Sequence, residues 1–458
     1  MDFNEMAGRL VVVDKSEEKI MSSDNIEIYQ AIKVFKNKIK CNRCGKVTTK
    51  ERAKLPYDNY YCPKCIVLGR VSTLNNLVHV IEDNHFNKVD EILTWDGKLS
   101  KFQEICSNEL INIIGKNTEH LLWAVTGAGK TEMLFKPIAE ALRKKFRVAI
   151  TSPRVDVCNE LYPRLDKAFK EIDKILLHGR SEEAYRYTQL VVCTTHQLLK
   201  FKEAFDVLII DEVDAFPYVN NKELLFATKQ AIKKTGTLIY LTATPSNELA
   251  KKIKRGNISI SYLPMRFHQN ALPTIKVEFT NNWWGFILQG KLDTKIKKYL
   301  KKWEQNGKQF LVFVPHVAML NKVREVIKAV LASKIKGDTV HAADEYRIEK
   351  VQKMRNKEYT YLITTTILER GVTFPEIDLL VLGADNSVFS TSALVQIAGR
   401  VGRSVSRPDG DVIFICDRYT RKVKDAQKQI EFLNKKAKKL REGISWIAYY
   451  ATTQLILN

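Results

Sequence analysis

Ten short apolar runs, gathered in two sets of five, most constrain what this chain can fold into. The first set is HLLWAV, RVAITSP, LVVCTT, DVLIIDE and TLIYLTATP, ending at Pro245. The second is QFLVFV, TVHAA, YLITTT, LLVLGAD and DVIFICD, ending at Asp417. Each run has strand length, and a helix-length segment separates it from the next. Strands that read as continuous apolar runs are buried on both faces, which predicts parallel sheets covered by helices. Two sets in tandem imply two α/β lobes, divided by the basic, loop-like passage around KKIKRGN. At roughly 150 residues per domain, 458 residues leave room for about one further unit. The expected organisation is an N-terminal segment over 1–35, with a strand at Leu10 to Val13, then a cysteine module over 36–75. A connecting segment over 76–99 leads to a first lobe over 100–262 and a second over 263–458, closed by a basic amphipathic helix in RKVKDAQKQIEFLNKKAKKLREGISW.

The module carries two Cys-x-x-Cys turns, Cys41/Cys44 and Cys62/Cys65, separated by 17 residues. Each turn points two thiolates at one centre, and two such turns close a tetrahedral shell of soft ligands suited to Zn²⁺. With no fifth ligand nearby, the site is expected to be closed and structural. Lys38, Lys40, Arg43, Lys46, Lys50, Arg52 and Lys64 surround it. They leave two roles open: gripping nucleic acid, or stapling a small fold. Cys106, Cys158, Cys193 and Cys416 lie in apolar contexts and are expected in the core.

The segment Ala124-Val-Thr-Gly-Ala-Gly-Lys-Thr131 follows one apolar run and precedes the helical stretch EMLFKPIAEALRKK. A strand–loop–helix context of this kind cradles phosphates. Gly127, Ala128 and Gly129 would bring backbone N–H groups around a β-phosphate, with the helix N-terminus adding its dipole. Lys130 would reach the β- and γ-phosphates and Thr131 would ligate Mg²⁺. Ala124 stands where the general pattern has its first glycine. About 80 residues on, the strand DVLII ends in Asp211-Glu212-Val213-Asp214. Asp211 is the expected Mg²⁺ residue and Glu212 the expected base that orients or deprotonates a water.

Together these segments resemble the superfamily 2 helicases and translocases over about residues 100–417, which implies RecA-like lobes and the cofactors ATP and Mg²⁺. AVTGAGKT resembles helicase motif I, DEVD motif II and Thr242-Ala-Thr-Pro245 motif III, which in the family couples hydrolysis to lobe movement. Gln396-Ile-Ala-Gly-Arg400-Val-Gly-Arg403 resembles motif VI. The resemblance makes Gln396 a nucleotide contact and Arg400 and Arg403 arginine fingers, whose fixed charge stabilises the transferring phosphoryl group. Thr151-Ser-Pro-Arg154 resembles motif Ia, Thr194-Thr195-His-Gln motif Ib, Val314-Pro-His316 motif IV and Thr364-Thr365-Thr-Ile-Leu-Glu-Arg-Gly371 motif V. These imply nucleic-acid contacts at Arg154, Thr195 and Thr365. DEAD-box RNA helicases use an aspartate on the ribose two residues after that glycine; here the residue is Thr373, which argues against that contact. Gln103, in Leu99-Ser-x-x-Gln103, reads either as an adenine-reading glutamine or as an exposed residue behind a helix N-cap serine.

Within the superfamily, TGAGKTE, AGRVGR and LTWDGKLS resemble the replication-restart helicase, which carries its cysteines inside the second half of its motor. A four-cysteine module ahead of the motor, with TTTILERGVTFP, LVQIAGRVGRS and RFHQNALP, resembles the late-competence DNA-uptake ATPases of Gram-positive bacteria. That resemblance implies an ATP-driven motor that draws transforming single-stranded DNA through a membrane channel, with the channel and a phosphoribosyltransferase-like competence protein as partners. It implies a cytoplasmic protein, peripheral at the inner face of the membrane. The alternatives are a replication-restart or repair helicase and, in another class, a non-hydrolysing nucleic-acid scaffold.

Charge agrees with a polyanionic partner: 74 Lys and Arg face 52 Asp and Glu, for a formal charge of +22. No apolar run approaches the ~18–20 residues of a spanning helix, and the first residues lack a secretory signal. Trp283-Trp284, read as neighbours on a strand, would face opposite ways, so packing is their expected role. Lys291 to Trp303 reads as a solvated helix face, and His316 and His341 as ordinary polar or core residues.

Overall fold

The computed structural model describes residues 3–16, 25–181 and 183–442. The last residues of the expected C-terminal helix, 443–446, lie outside them. The chain separates into two compact units, Met1–Trp123 with Lys130–Tyr262, and Ala124–Gly129 with the chain from Leu263 onward.

The first unit opens with two small sheets. Strands β1 (Leu10–Asp14) and β2 (Ile26–Gln30) both pair antiparallel with β6 (Asn75–Val80), in the order β1-β6-β2. The segments expected as a preface and a connector are therefore one sheet, because β6 brings the chain back onto its own beginning. Between them, β3 (Ile32–Val34), β4 (Lys38–Cys41) and β5 (Val47–Thr49) form the cysteine module's sheet. The module thus begins a few residues before 36.

The larger sheet has the order β13-β7-β12-β11-β8-β10-β9. Its strands are β7 (Thr118–Ala124), β8 (Val148–Ser152), β9 (Lys174–Leu177), β10 (Leu190–Thr194), β11 (Phe205–Ile210), β12 (Ile232–Thr242) and β13 (Ser259–Leu263). Every residue of β8, β10 and β11 is buried, as runs covered on both faces require. Helices α1 (Lys101–Ile111), α2 (Lys130–Arg143), α3 (Val155–Ala168), α4 (Lys222–Ala231) and α5 (Asn247–Lys254) accompany it. α1 starts at a capping box made by Ser100 and Gln103.

The second unit holds a fully parallel sheet, β14-β19-β18-β15-β17-β16. Its strands are β14 (Ile275–Phe279), β15 (Phe310–Phe313), β16 (Gly337–Val340), β17 (Tyr361–Thr364), β18 (Asp378–Leu382) and β19 (Val412–Cys416). Its helices are α6 (Trp283–Leu288), α7 (Thr294–Gln305), α8 (Leu320–Val330), α9 (Arg347–Arg355), α10 (Thr391–Ala398) and α11 (Arg421–Arg441). Trp283 and Trp284 begin a helix, not a strand, because Asn282 caps it by accepting from Gly285 N. Trp283 packs in the core with Ile287, Trp303 and Phe310, so the packing expectation holds in a different element. On α7, Ile296, Leu300 and Trp303 are buried while Lys301 and Lys302 pair with Glu304 and Asp411. Cys106, Cys158, Cys193 and Cys416 are all buried.

What fixes the N-terminal sheets to the large one is a sealed ion pair. Arg147, at the entry to β8, and Glu82, just beyond β6, have fully buried side chains and lie 2.6 Å apart. The guanidinium also donates to Ala7 O (2.9 Å), Thr188 O (3.1 Å) and Tyr185 Oη (2.8 Å). Tyr187 donates to the other Glu82 oxygen. Beside it Gly8, at φ +71°, runs so close to Ala204 that a Cβ would stand 2.6 Å from the Ala204 Cβ. Glycine is required there. Leaving one partner of such a pair uncompensated costs about 3–5 kcal/mol. Glu82→Ala should lower the urea midpoint accordingly, and Glu82→Ala with Arg147→Met should recover part of the loss.

Candidate nucleotide and metal sites

The thiols of Cys41, Cys44, Cys62 and Cys65 are buried and lie within 4.8 Å of one another. Cys41 and Cys65 are 3.8 Å apart at sulfur, Cys44 and Cys62 3.5 Å. A tetrahedron of sulfurs about 2.3 Å from zinc has edges of roughly 3.8 Å, so the set fits that ion. The neighbouring thiols, Cys41 first, and the Arg43 guanidinium hold the Cys65 thiol far below its ordinary range. Arg43 Nε donates to Cys65 Sγ at 3.4 Å, and its NH2 donates to Cys65 O and Gly69 O. Arg43, expected among the surface cations, is thus spent on orienting a ligand. The module leans on α4: Lys46 pairs with Glu223 at 3.1 Å, and Gln230 donates to Arg43 O.

Motif residues gather at the C-terminal ends of the larger sheet's parallel strands, where α/β sheets bind ligands. Asp211 follows β11, with its N–H on Thr151 O (2.7 Å) and Oδ1 accepting from Glu212 N (2.8 Å). Glu212 sits at φ 54°. That left-handed conformation costs a side-chain-bearing residue ~1 kcal/mol or more and is characteristic of functional turns. Asp214 accepts from both threonines of the TATP segment, Thr242 Oγ1 at 2.6 Å and Thr244 Oγ1 at 2.5 Å. The carboxylate turn after β11 and the turn after β12 are therefore one hydrogen-bonded piece. Lys130 and Thr131 start α2, where the helix N-terminus favours an anion. Gly127 and Gly129 hold φ of 78° and 75°, the backbone freedom that a phosphate loop needs.

The second unit contains the arginine loop. α10 ends at Ala398, and Arg400 is 2% exposed with Nε donating to Glu369 O (3.1 Å). Arg403 donates from Nε to Gly399 O (3.3 Å) and from NH1 to Thr373 Oγ1 (3.1 Å). Thr373 therefore steadies an arginine at the position where an aspartate would take a ribose. Arg266, which sequence reasoning passed over, forks into the same loop. It is 1% exposed and donates to Gly402 O, Val401 O (2.6 Å) and Gly399 O (3.3 Å). Two residues on, His268 Nε2 lies 3.2 Å from Gly402 O, and Phe267 N donates to Gly127 O at 3.1 Å. A buried guanidinium on three carbonyls fixes the loop's path. The hint in the sequence was the RFHQN segment itself, basic where a linker would be neutral.

The remaining expected site residues fare unevenly. Gln103 Oε1 accepts from Ser100 N at 2.8 Å and the residue is buried, so it is not the exposed residue of the alternative reading. Gln396 is buried on α10. Arg154 and Thr365 are partly exposed at the starts of α3 and of the 3₁₀ turn Thr366–Glu369. Thr195 opens the 3₁₀ turn Thr195–Lys200 and its side chain is fully buried. His316 is exposed and His341 half-buried.

Fold and site define a helicase of the DEAD/DEAH class. The DEAD/DEAH box helicase family model matches residues 100–253, and the helicase conserved C-terminal domain matches 291–405. Yeast Dbp5 bound to RNA and ADP BeF3 superposes with a TM-score of 0.56 at 15% identity, covering 73% of this chain and 88% of that one, which shows the fold alone. The competence protein ComFA N-terminal domain matches residues 7–79. Competence protein ComFA of Bacillus subtilis is 42% identical over 93% of this chain and 92% of its own length. The Streptococcus pneumoniae ComFA is 42% identical over 89% and 93%. The chain belongs to the ComFA family of competence proteins.

Removing one thiolate should release the metal. Cys62→Ser is expected to lower bound zinc from about one ion per chain to near zero by elemental analysis, because a four-ligand site closes only when complete.

Proposed function

We propose that the chain is an ATP-dependent single-stranded DNA translocase that helps import transforming DNA during natural competence. Membership of the ComFA family and the helicase domains support the competence role. The observation that carries the motor reading is Asp214 joined to Thr242 and Thr244, which ties the hydrolytic turn to the segment that the family uses to transmit it.

In this reading Gly127, Ala128 and Gly129 present backbone N–H groups to the phosphates, and Lys130 neutralises their charge. Thr131 and Asp211 hold Mg²⁺, which would supply charge neutralisation at the phosphates. Glu212 orients the attacking water and accepts its proton. Arg400 and Arg403, held by Glu369, Thr373 and Gly399, offer fixed positive charge to the transferring phosphoryl group. Gln103 and Gln396 contact the nucleotide, and Arg154 and Thr365 the nucleic-acid backbone. The four cysteines hold a structural zinc. A membrane DNA channel and a phosphoribosyltransferase-like competence protein are the proposed partners, at the inner face of the membrane. Among the described residues no helix is long and apolar enough to cross a membrane, so association with the membrane would run through partners or basic patches.

Steady-state ATP hydrolysis at fixed salt tests the reading. Single-stranded DNA should stimulate it strongly, and Lys130→Ala should lower turnover by about a hundredfold or more, the scale on which removing one transition-state charge acts. Preferential stimulation by duplex junctions would favour a replication-restart or repair helicase. DNA binding without turnover would favour a scaffold.

A further inference from the structure

The outward face of the cysteine module's sheet gathers lysines from neighbouring strands. The register places Lys33 directly opposite Lys40, Lys40 opposite Val47, and Lys38 opposite Thr49. Alternation along the strands turns Ile39 and Cys41 inward and puts Lys33, Lys38, Lys40 and Val47 on the other face. Phe35, whose N–H donates to Lys38 O in the β3–β4 turn, is 53% exposed and Val47 is 50% exposed. From Ala31 to Lys50 the sequence contains no Asp or Glu.

Like charges directly opposite on neighbouring strands destabilise a sheet. Several surface lysines elsewhere meet acids: Lys301 with Glu304, Lys322 with Glu325, Lys353 with Glu349. Among the described residues Lys33, Lys36, Lys38 and Lys40 have no such partner. A solvated basic strand needs neither an unneutralised cross-strand lysine pair nor an exposed phenyl ring in its midst. A polyanion with accessible bases needs both, since lysines follow its phosphates and the ring stacks on a base. A duplex keeps its bases stacked and gives Phe35 nothing to meet.

We infer that this face, Lys33, Phe35, Lys38 and Lys40 with Val47, is a binding platform for a single-stranded polynucleotide, set on a sheet that the zinc site holds rigid. Arg43 and Lys46 do not join it, being engaged with Cys65 and Glu223. The platform rests on the proposed DNA-driven motor and adds a second place of grip, separate from the motif residues.

The test is fluorescence anisotropy of the full zinc-loaded chain with labelled oligo-dT across a salt series. The Lys33→Glu, Lys38→Glu variant should bind at least tenfold more weakly. Its slope of log K against log salt should be shallower by about 1.4, at about 0.7 for each phosphate that a lysine no longer neutralises. Phe35→Ala should weaken binding about tenfold with the slope unchanged, as removal of one stacking platform does. Lys33→Glu alone separates binding from folding. It creates an opposite-charge pair with Lys40, so its urea midpoint and zinc content should equal or exceed wild type while DNA affinity falls. Wild-type affinity and slope in all three variants, with wild-type chain bound and stimulated by DNA, would overturn the platform and leave the motor reading standing. Weaker binding in the charge variants but not in Phe35→Ala would also overturn it, in favour of plain electrostatic attraction. Absence of binding by the wild-type chain would instead overturn the motor reading.

Discussion

Burying a guanidinium is costly unless every donor is met, and Arg147 is buried completely. Its partners come from across the sequence: Ala7 before β1, Glu82 after β6, and Tyr185 and Thr188 before β10. Because the charge must be satisfied, these segments cannot separate from β8 without exposing or orphaning it. The N-terminal sheets are therefore not a tethered accessory. They belong to the first unit, and the cysteine module travels with them, braced against α4 through Lys46 and Glu223.

With that frame fixed, the chemistry follows from the ends of the parallel strands. Asp211 and Glu212 leave β11, and Thr242 ends β12 beside them, so one carboxylate, Asp214, can collect two hydroxyls from the neighbouring turn. In the second unit Arg266, from a segment more than a hundred residues earlier, donates to three carbonyls of the arginine loop after α10. Both devices tie a turn to a segment distant in the sequence.

The sequence made the motor's frame legible because buried parallel strands are written as unbroken apolar runs, and because the phosphate loop, the DEVD turn and the Arg400/Arg403 loop are local patterns. The four cysteines were equally plain, since two close pairs already specify a shell. Long-range pairing was not legible. β6 completing a sheet with β1 and β2 depends on a return of some sixty residues, and Glu82 meeting Arg147 on a spacing of 65. The edge strand β14, IKVEF, alternates apolar and charged residues and is largely uncovered, so it is not written as an unbroken apolar run. Thr195 looked like a nucleic-acid residue by motif, yet packing buried it. Trp283 looked like strand because the cap at Asn282 is a single-residue signal. The lysines of β3 and β4 were visible as charge, but only the register shows that two stand face to face.

The N-terminal region with its four-cysteine site and the first α/β sheet are, through Arg147 and Glu82, one cooperative body. Native-state hydrogen exchange measures this directly, because amides that open together share one opening free energy. The slowest amides of β1 and β6 should exchange with the same opening free energy as those of β8 and β11, and Glu82→Ala should lower all of them together. Exchange of β1 and β6 through a separate, much easier opening, untouched by that substitution, would contradict it.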